Sequence, residues 1–178
     1  TRKRNVDLKF TYGHSKTKIE ACNADMEGEV GDVLLLASDD MVPIVVGYDD
    51  LIMESFRQSF PDFNGAIKFW DGFRPKDDPL MTLTVMGFPL YQQFGYIYHP
   101  DYVSLFCDNE QTLACMLLGK LRRCDQCIIH HQWTPEPFDV LHARNQDQET
   151  FRRDQQTFNA RFEKQFDLGD LINAGASK

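Results

Sequence analysis

The sequence has no long hydrophobic run and no excess of basic residues, and each absence restricts the class of protein. No apolar run among the 178 residues approaches membrane-spanning length, which takes about 20 residues. The 19 Lys and Arg residues stand against 27 Asp and Glu residues, a net charge of −8. Because no basic stripe offsets the acidic total, the composition argues against a protein that binds duplex nucleic acid through its phosphates.

Cysteine is also scarce. The five cysteines are an odd number, and the chain opens without an apolar signal sequence, so a disulfide framework is not expected. This pattern predicts a reducing compartment and hence a cytoplasmic protein. The start at Thr1 favours a piece of a longer gene product.

The length and the 42% hydrophobic content predict one domain over residues 1–178. Neither repeats nor linkers interrupt it, and only the tail over residues 170–178 is predicted to be disordered.

Strand and helix patterns alternate along the chain, which predicts a layered α/β architecture. Strand patterns occupy residues 6–10, 32–37, 65–72, 83–87 and 122–131, and helix patterns occupy residues 16–26, 49–60, 89–95, 110–120 and 147–166. The continuous apolar run "DVLLLA" is typical of a central strand that is covered on both faces. Gly95 and Gly119 predict the ends of two helices, and four phenylalanines between 151 and 166 predict an aromatic stripe on the last one.

Two adjacent carboxylates, Asp39 and Asp40, follow the strand in "DVLLLASDDMVP". One explanation is that one of them caps the following turn while the other faces water. The other is a ligand site, because α/β sheets bind ligands at the carboxyl ends of their strands. Oxygen donors of this kind suit Mg²⁺ or Mn²⁺ together with the oxygens of a substrate diphosphate.

A second acidic pair, Asp108 and Glu110, begins a helix in "SLFCDNEQT". Acidic residues in a first helical turn are favoured by the helix dipole whatever the function. A carboxylate at such a boundary also suits a general base aimed at a hydroxyl. The spacing leaves both explanations open.

Two cysteines and two histidines share the segment "CDQCIIHHQW". Alternation along one strand would place Cys124 and Cys127 on opposite faces, which argues against a structural zinc site and for buried free thiols. His130 or His131 at the end of the strand then remains a candidate additional metal ligand.

Trp70 and Asp71 in "KFWDGF" have two explanations as well. They form either a core aromatic followed by a turn aspartate, or an apolar surface with a polar partner that holds a sugar ring.

In chain order, "GHSKTKIEACNADM", "GDVLLLASDDMVP", "FWDGF", "MGFPLYQQFGYIYHPDY", "FCDNEQTLACMLLGK" and "IIHHQW" resemble the nucleotide-sugar-dependent glycosyltransferases with the GT-A fold, particularly the large group that contains many inverting enzymes. The resemblance spans residues 6–168. It implies a mixed, mostly parallel sheet flanked by helices. The strand and helix that cradle the nucleobase in this family have no counterpart before residue 6, so the implied fold is incomplete at its N-terminus.

The resemblance also implies roles for individual residues. "SDDM" matches the aspartate-rich motif, so Asp39 and Asp40 would hold Mn²⁺ or Mg²⁺, with Asp40 as the preferred direct ligand and Asp39 also contacting the donor. His131 matches a late metal-binding histidine. Asp108 matches the general base, although Cys107 replaces the usual glutamate before it.

The remaining matches concern the two substrates. The implied donor-binding residues are Lys16, Lys18 and Asn23, and the implied acceptor-binding residues are Trp70, Asp71 and Glu110. The implied reaction moves a sugar from a nucleotide-diphosphate sugar to an acceptor hydroxyl with inversion. A non-catalytic carbohydrate-binding or scaffold module, a metal-dependent phosphohydrolase and an α/β subunit without a site remain alternatives.

Overall fold

The computed structural model describes residues 9–132, 143 and 147–176 of the chain, with six strands and six α-helices in those ranges. The strands are β1 (Val33–Leu36), β2 (Met41–Pro43), β3 (Ala66–Phe69), β4 (Thr84–Gly87), β5 (Leu121–Cys124) and β6 (Ile129–His131). The helices are α1 (Lys18–Asn23), α2 (Tyr48–Ser59), α3 (Phe88–Phe94), α4 (Cys107–Leu117), α5 (Gln148–Glu163) and α6 (Gly169–Ala176), with a 3₁₀ turn at Gln165–Asp167. The strand predicted over residues 6–10 lies largely outside the described residues.

Four strands form a mixed sheet in the order β1-β4-β3-β5. Strand β4 runs antiparallel to both β1 and β3, and only β3 and β5 are parallel. The prediction of an α/β fold with a mixed sheet flanked by helices is confirmed, but the prediction of a mostly parallel sheet is wrong. The reason is the connection between β3 and β4, which contains no crossover helix and therefore returns the chain in the opposite direction.

The sheet packs helices on both faces, because side chains alternate along β3 and β4. Ala66 and Met86 face a core built with α1, α3 and α4. Ile67 and Val85 face a second core built with α2. Strand β1 lies at the edge of the sheet, so the prediction of a central strand is wrong. The prediction that it is covered on both faces is confirmed, because Leu34 packs in the first core and Val33 and Leu35 pack against the second.

Strands β2 and β6 form a separate antiparallel pair, with Met41 opposite His131 and Val42 opposite His130. The single strand predicted over residues 122–131 is therefore two strands in two sheets. The chain leaves the larger sheet after Cys124, where the Gln126 carbonyl accepts a 3.2 Å hydrogen bond from the Trp70 amide. Cys124 and Cys127 are therefore not on one strand, and the prediction that they occupy its opposite faces does not apply.

The predicted helix ends are confirmed at two glycines with left-handed backbones. Gly95 follows α3 (φ 75°), and Gly119 follows α4 (φ 66°). At the C-terminus, residues 170–176 lie in α6, which differs from the predicted disordered tail. No helix in the described ranges has the length and apolar character needed to cross a bilayer.

The predicted aromatic stripe is present on α5 and on the 3₁₀ turn that follows it. Phe158 contacts the rings of Phe162 and Phe166, with centroid distances of 6.0 and 5.9 Å. Phe166 is buried against α4, so the stripe attaches the C-terminal helices to the main body of the fold.

Candidate functional site

The small sheet brings together Asp40 and His131, which are 91 residues apart in sequence. Strand β2 begins directly after Asp40, and strand β6 ends at His131. Their antiparallel pairing places the Asp40 Oδ2 atom 2.9 Å from the His131 Nε2 atom. The backbones are tied as well, because the Gln132 amide donates a 2.8 Å hydrogen bond to the Asp40 carbonyl.

The Asp40 carboxylate is held in its charged form. Burial raises its pKa, but the hydrogen bond that Ser38 donates to Oδ1 and the charge of His131 outweigh that effect, so the pKa lies below its usual value of 3.8. Ser38 was missed by the sequence analysis, although its position two residues before Asp40 is the spacing of a local side-chain contact. The result is an anionic carboxylate beside an imidazole.

Asp71 lies next to this pair. Its carbonyl accepts a 2.8 Å hydrogen bond from the His131 amide, which links the turn after β3 to the end of β6. The Asp71 side chain is 5% exposed and accepts hydrogen bonds from Thr82 Oγ1 (2.7 Å) and from the amides of Phe73 (3.0 Å) and Arg74 (2.9 Å). Burial raises the pKa of this carboxyl, but the hydrogen bonds lower it by more, so the pKa lies below 3.8. Asp71, which was predicted to bind the acceptor substrate, thus uses its carboxylate to hold a turn.

Trp70 is half-buried beside Asp71. Its indole Nε1 donates a 2.7 Å hydrogen bond to the Arg74 carbonyl, and the Lys76 Nζ atom lies 4.5 Å from the centre of the ring. One face of the ring is therefore occupied by a cation, which limits sugar stacking to the other face.

Asp39, the third predicted metal ligand, is exposed. In the part of the chain that the structure describes, no three His, Cys, Asp or Glu side chains form a group that could hold a metal ion. The structure thus joins Asp40 to His131 and does not bring Asp39 into the same cluster.

Asp108 lies half-buried in the first turn of α4, and its Oδ1 atom accepts a 3.0 Å hydrogen bond from the Asn109 amide. Asp108 is linked to Asp71 through two hydrogen bonds of Thr112, the Met81–Thr82 chain segment and one hydrogen bond of Thr82. The Thr112 hydroxyl donates to the Asp108 carbonyl (2.7 Å) and accepts from the Met81 amide (3.0 Å). Met81 precedes Thr82, the residue that donates to Asp71. The start of α4 is therefore connected to the turn that supports His131.

Glu110 is buried, with 3% of its surface exposed. It accepts hydrogen bonds from Arg161 Nε (2.7 Å) and Nη2 (2.9 Å) and from the Tyr102 hydroxyl (2.7 Å). The predicted role of Glu110 in acceptor binding conflicts with this burial. Arg161 is 51 residues away, and no sequence motif indicated the pair.

Besides Asp39, the three other predicted donor-binding residues separate into two kinds. Asn23 joins α1 to the segment after α3, because its Oδ1 accepts from the amides of Ile97 (2.9 Å) and Tyr98 (3.1 Å) and its Nδ2 donates to the Tyr98 carbonyl (2.7 Å). Lys16 and Lys18 are exposed.

Lys18 lies within electrostatic range of the start of α4. Burial raises the pKa of the Cys107 thiol, the charge of Asp108 raises it further, and the ammonium of Lys18 lowers it. The charge of Lys18 therefore acts on Cys107, the first residue of α4.

Comparison of the chain with protein-family models, with curated proteins and with solved structures finds no match. The resemblance to glycosyltransferases therefore stays a prediction that rests on the motifs and their order.

Proposed function

We propose that the protein is a metal-assisted glycosyltransferase of the GT-A type that transfers a sugar from a nucleotide-diphosphate sugar to an acceptor hydroxyl. The observation that supports this proposal is the contact between Asp40 and His131. The resemblance assigns both residues to one metal site although they are far apart in sequence, and the fold places their side chains 2.9 Å apart.

In this proposal Asp40 and His131 would hold Mn²⁺ or Mg²⁺ as two protein ligands, and the substrate would supply the rest. A carboxylate oxygen and an imidazole nitrogen meet at one point, and such cations are commonly held by one or two carboxylates with substrate phosphates completing the coordination. The lowered pKa of Asp40 keeps its charge available. When bound, the cation supplies Lewis-acid stabilisation of charge on a leaving diphosphate.

Asp108 is the proposed general base. It accepts the proton of the acceptor hydroxyl while the hydroxyl oxygen bonds to the anomeric carbon and the bond to the nucleoside diphosphate breaks. A single displacement of this kind inverts the anomeric centre. Exposed Lys18, near the start of α4, would meet the negatively charged donor on that side. As part of this proposal we infer a reducing compartment such as the cytoplasm, which the five free cysteines support.

A carbohydrate-binding or scaffold module without turnover is the second candidate. The observation that favours it is that the residues predicted to bind the acceptor substrate make structural contacts within the protein. Asp71 holds a turn, Glu110 is paired with Arg161, and the Trp70 indole donates to a backbone carbonyl. Such a module would bind glycans without needing a metal, and a phosphohydrolase would release phosphate without any acceptor.

The experiment that tests the proposal is a thermal unfolding scan with MnCl₂, with UDP, and with both. We expect the two ligands together to raise the midpoint by about 5 to 10 °C, since saturation at 100 times Kd adds about 2.7 kcal/mol and each kcal/mol moves a chain of this size by about 2 to 4 °C. The combined shift is expected to disappear in Asp40→Asn and His131→Gln.

His130→Gln is the matched control. His130 neighbours His131, but its ring packs on Gly72, where an added Cβ would lie 2.2 Å from His130 Cδ2. Each variant is compared with its own ligand-free midpoint. The proposal fails if the wild-type chain does not respond to Mn²⁺ with UDP, or if both site variants keep the full response.

A further inference from the structure

The segment before α4 is held by one buried carboxylate of α5. Asp154 is 0% exposed. Its Oδ1 accepts a 2.9 Å hydrogen bond from the Val103 amide, and its Oδ2 accepts from the amides of Ser104 (2.8 Å) and Leu105 (2.7 Å). Three consecutive backbone donors therefore end on a single side chain, about 50 residues away in the chain.

The next residue, Phe106, starts α4 in an unusual conformation. It has a left-handed backbone (φ 61°) and provides no side-chain cap for the helix. Non-glycine residues adopt this conformation at a cost and persist in it where the surroundings hold them. Here the Phe106 ring packs on Phe151 and Phe158 of α5, with centroid distances of 5.3 and 5.8 Å.

A second contact from α5 lies on the other side of Asp108. Arg161 follows Asp154 by two helical turns, so the two residues lie on one face of α5. Arg161 forms its ion pair with Glu110. Helix α5 thus holds the chain three residues before Asp108 and two residues after it, while the Asp108 carboxylate itself remains half-buried.

We propose that Asp154 is a positioning residue that sets the location of the Asp108 carboxylate through the backbone of residues 103–105. The inference rests on the proposed function, because it assigns Asp108 a reaction to serve. Asp154 acts at a distance through the chain, and its loss displaces the base while leaving the Asp40 and His131 pair intact.

The test compares Asp154→Asn with Asp147→Ala in the full chain. The amide replaces one of the two acceptor oxygens by a donor, so at least one of the three hydrogen bonds is lost. Asp147 is the N-cap of the same helix and accepts from the Thr150 amide (3.2 Å), so its variant weakens α5 without touching residues 103–105. Asp154→Glu, which keeps the charge, serves as the second variant if the amide variant folds poorly.

Two readouts are needed. In ¹H–¹⁵N spectra we expect the amide signals of residues 103–105 and of 107–109 to move in the Asp154 variant and not in the Asp147 control. In transfer assays we expect kcat to fall about 10- to 100-fold, because small displacements of a catalytic group have effects of this size. The KM for the donor should stay unchanged, because Asp108 is not a proposed donor-binding residue. The Asp147 control covers simple destabilisation, which would lower the number of active molecules in both variants.

The outcomes separate this inference from the proposed function. If the signals of residues 107–109 stay in place, or kcat is unchanged in an active enzyme, the positioning role is wrong. If those signals move while the wild-type chain shows neither transfer nor a response to UDP and Mn²⁺, the positioning of Asp108 is supported and the glycosyltransferase proposal is overturned.

Discussion

Glu110 and Arg161 form a buried, two-pronged ion pair, with Arg161 Nε 2.7 Å from Oε2 and Nη2 2.9 Å from Oε1 of the carboxylate. The Tyr102 hydroxyl donates a further hydrogen bond to the same carboxylate. The pair joins the first turn of α4 to the last turns of α5. It explains why an acidic residue in a first helical turn is buried here and not left in solvent.

Removing one partner leaves the other charge buried and unpaired. We expect Arg161→Ala to lower the free energy of unfolding by about 3 to 5 kcal/mol. The measurement is urea denaturation followed by circular dichroism. Arg153→Ala is the control, since Arg153 is exposed on the same helix and should change stability by less than about 0.5 kcal/mol. Equal losses in the two variants would contradict a structural role for the ion pair.

Asp108→Asn tests the proposed base. The amide cannot accept the acceptor proton, so we expect transfer to fall by about 10²- to 10⁴-fold. The thermal response to UDP with Mn²⁺ should remain, because Asp108 is not a proposed metal ligand. Sugar transfer and UDP release are measured together, with Asp101→Asn as the exposed control. Full transfer activity in Asp108→Asn would remove Asp108 from the mechanism.

Gly87, at the end of β4, lies close against the backbone of the loop before β3. A Cβ added there would lie 1.6 Å from the Phe63 carbonyl oxygen, which is backbone and cannot rotate away. We expect Gly87→Ala to cost about 3 kcal/mol or more, at the upper end of overpacking.

Gly95→Ala is the matched comparison for Gly87→Ala. Its Cβ would meet nothing within 4 Å, and its left-handed backbone alone should cost about 1 to 2 kcal/mol. Thermal melts of the two variants are compared directly. A smaller loss for Gly87→Ala than for Gly95→Ala would contradict the close approach.

His99 makes stability depend on pH. Burial, with a smaller effect from the charge of Arg161, lowers its pKa below the ordinary 6.5. Between the folded pKa and 6.5 the unfolded chain binds more protons, so the contribution of neutral His99 is present above 6.5 and is lost as the pH falls toward the folded value.

Urea midpoints at pH 7.5 and 5.5 measure this dependence. We expect the decline between the two pH values to be smaller in His99→Gln than in the wild type. His14→Gln, at an exposed position, should decline as the wild type does. An unchanged decline in His99→Gln would show that burial of this imidazole does not contribute.

Most elements of the described fold could be predicted because they depend on local patterns. The apolar run that forms β1, the glycines that end α3 and follow α4, and the aromatic stripe of α5 are properties of neighbouring residues. The strand after residue 121 could not be predicted as two strands, because the break accompanies a hydrogen bond from the distant Trp70 amide to the Gln126 carbonyl, and local patterns do not show such a contact.

The amino-acid sequence by itself determined the α/β class, most helix positions and the positions of the acidic pairs on which the predicted resemblance depends. Only the tertiary structure decided which of those residues meet. Asp40 contacts His131 because β2 and β6 pair, and Glu110 is buried because it pairs with Arg161 from a later helix. Strand β1 lies at an edge because β4 is the only strand of the larger sheet that pairs with it. Contacts between residues 50 to 90 positions apart depend on packing of the whole chain, and local periodicity carries no information about them.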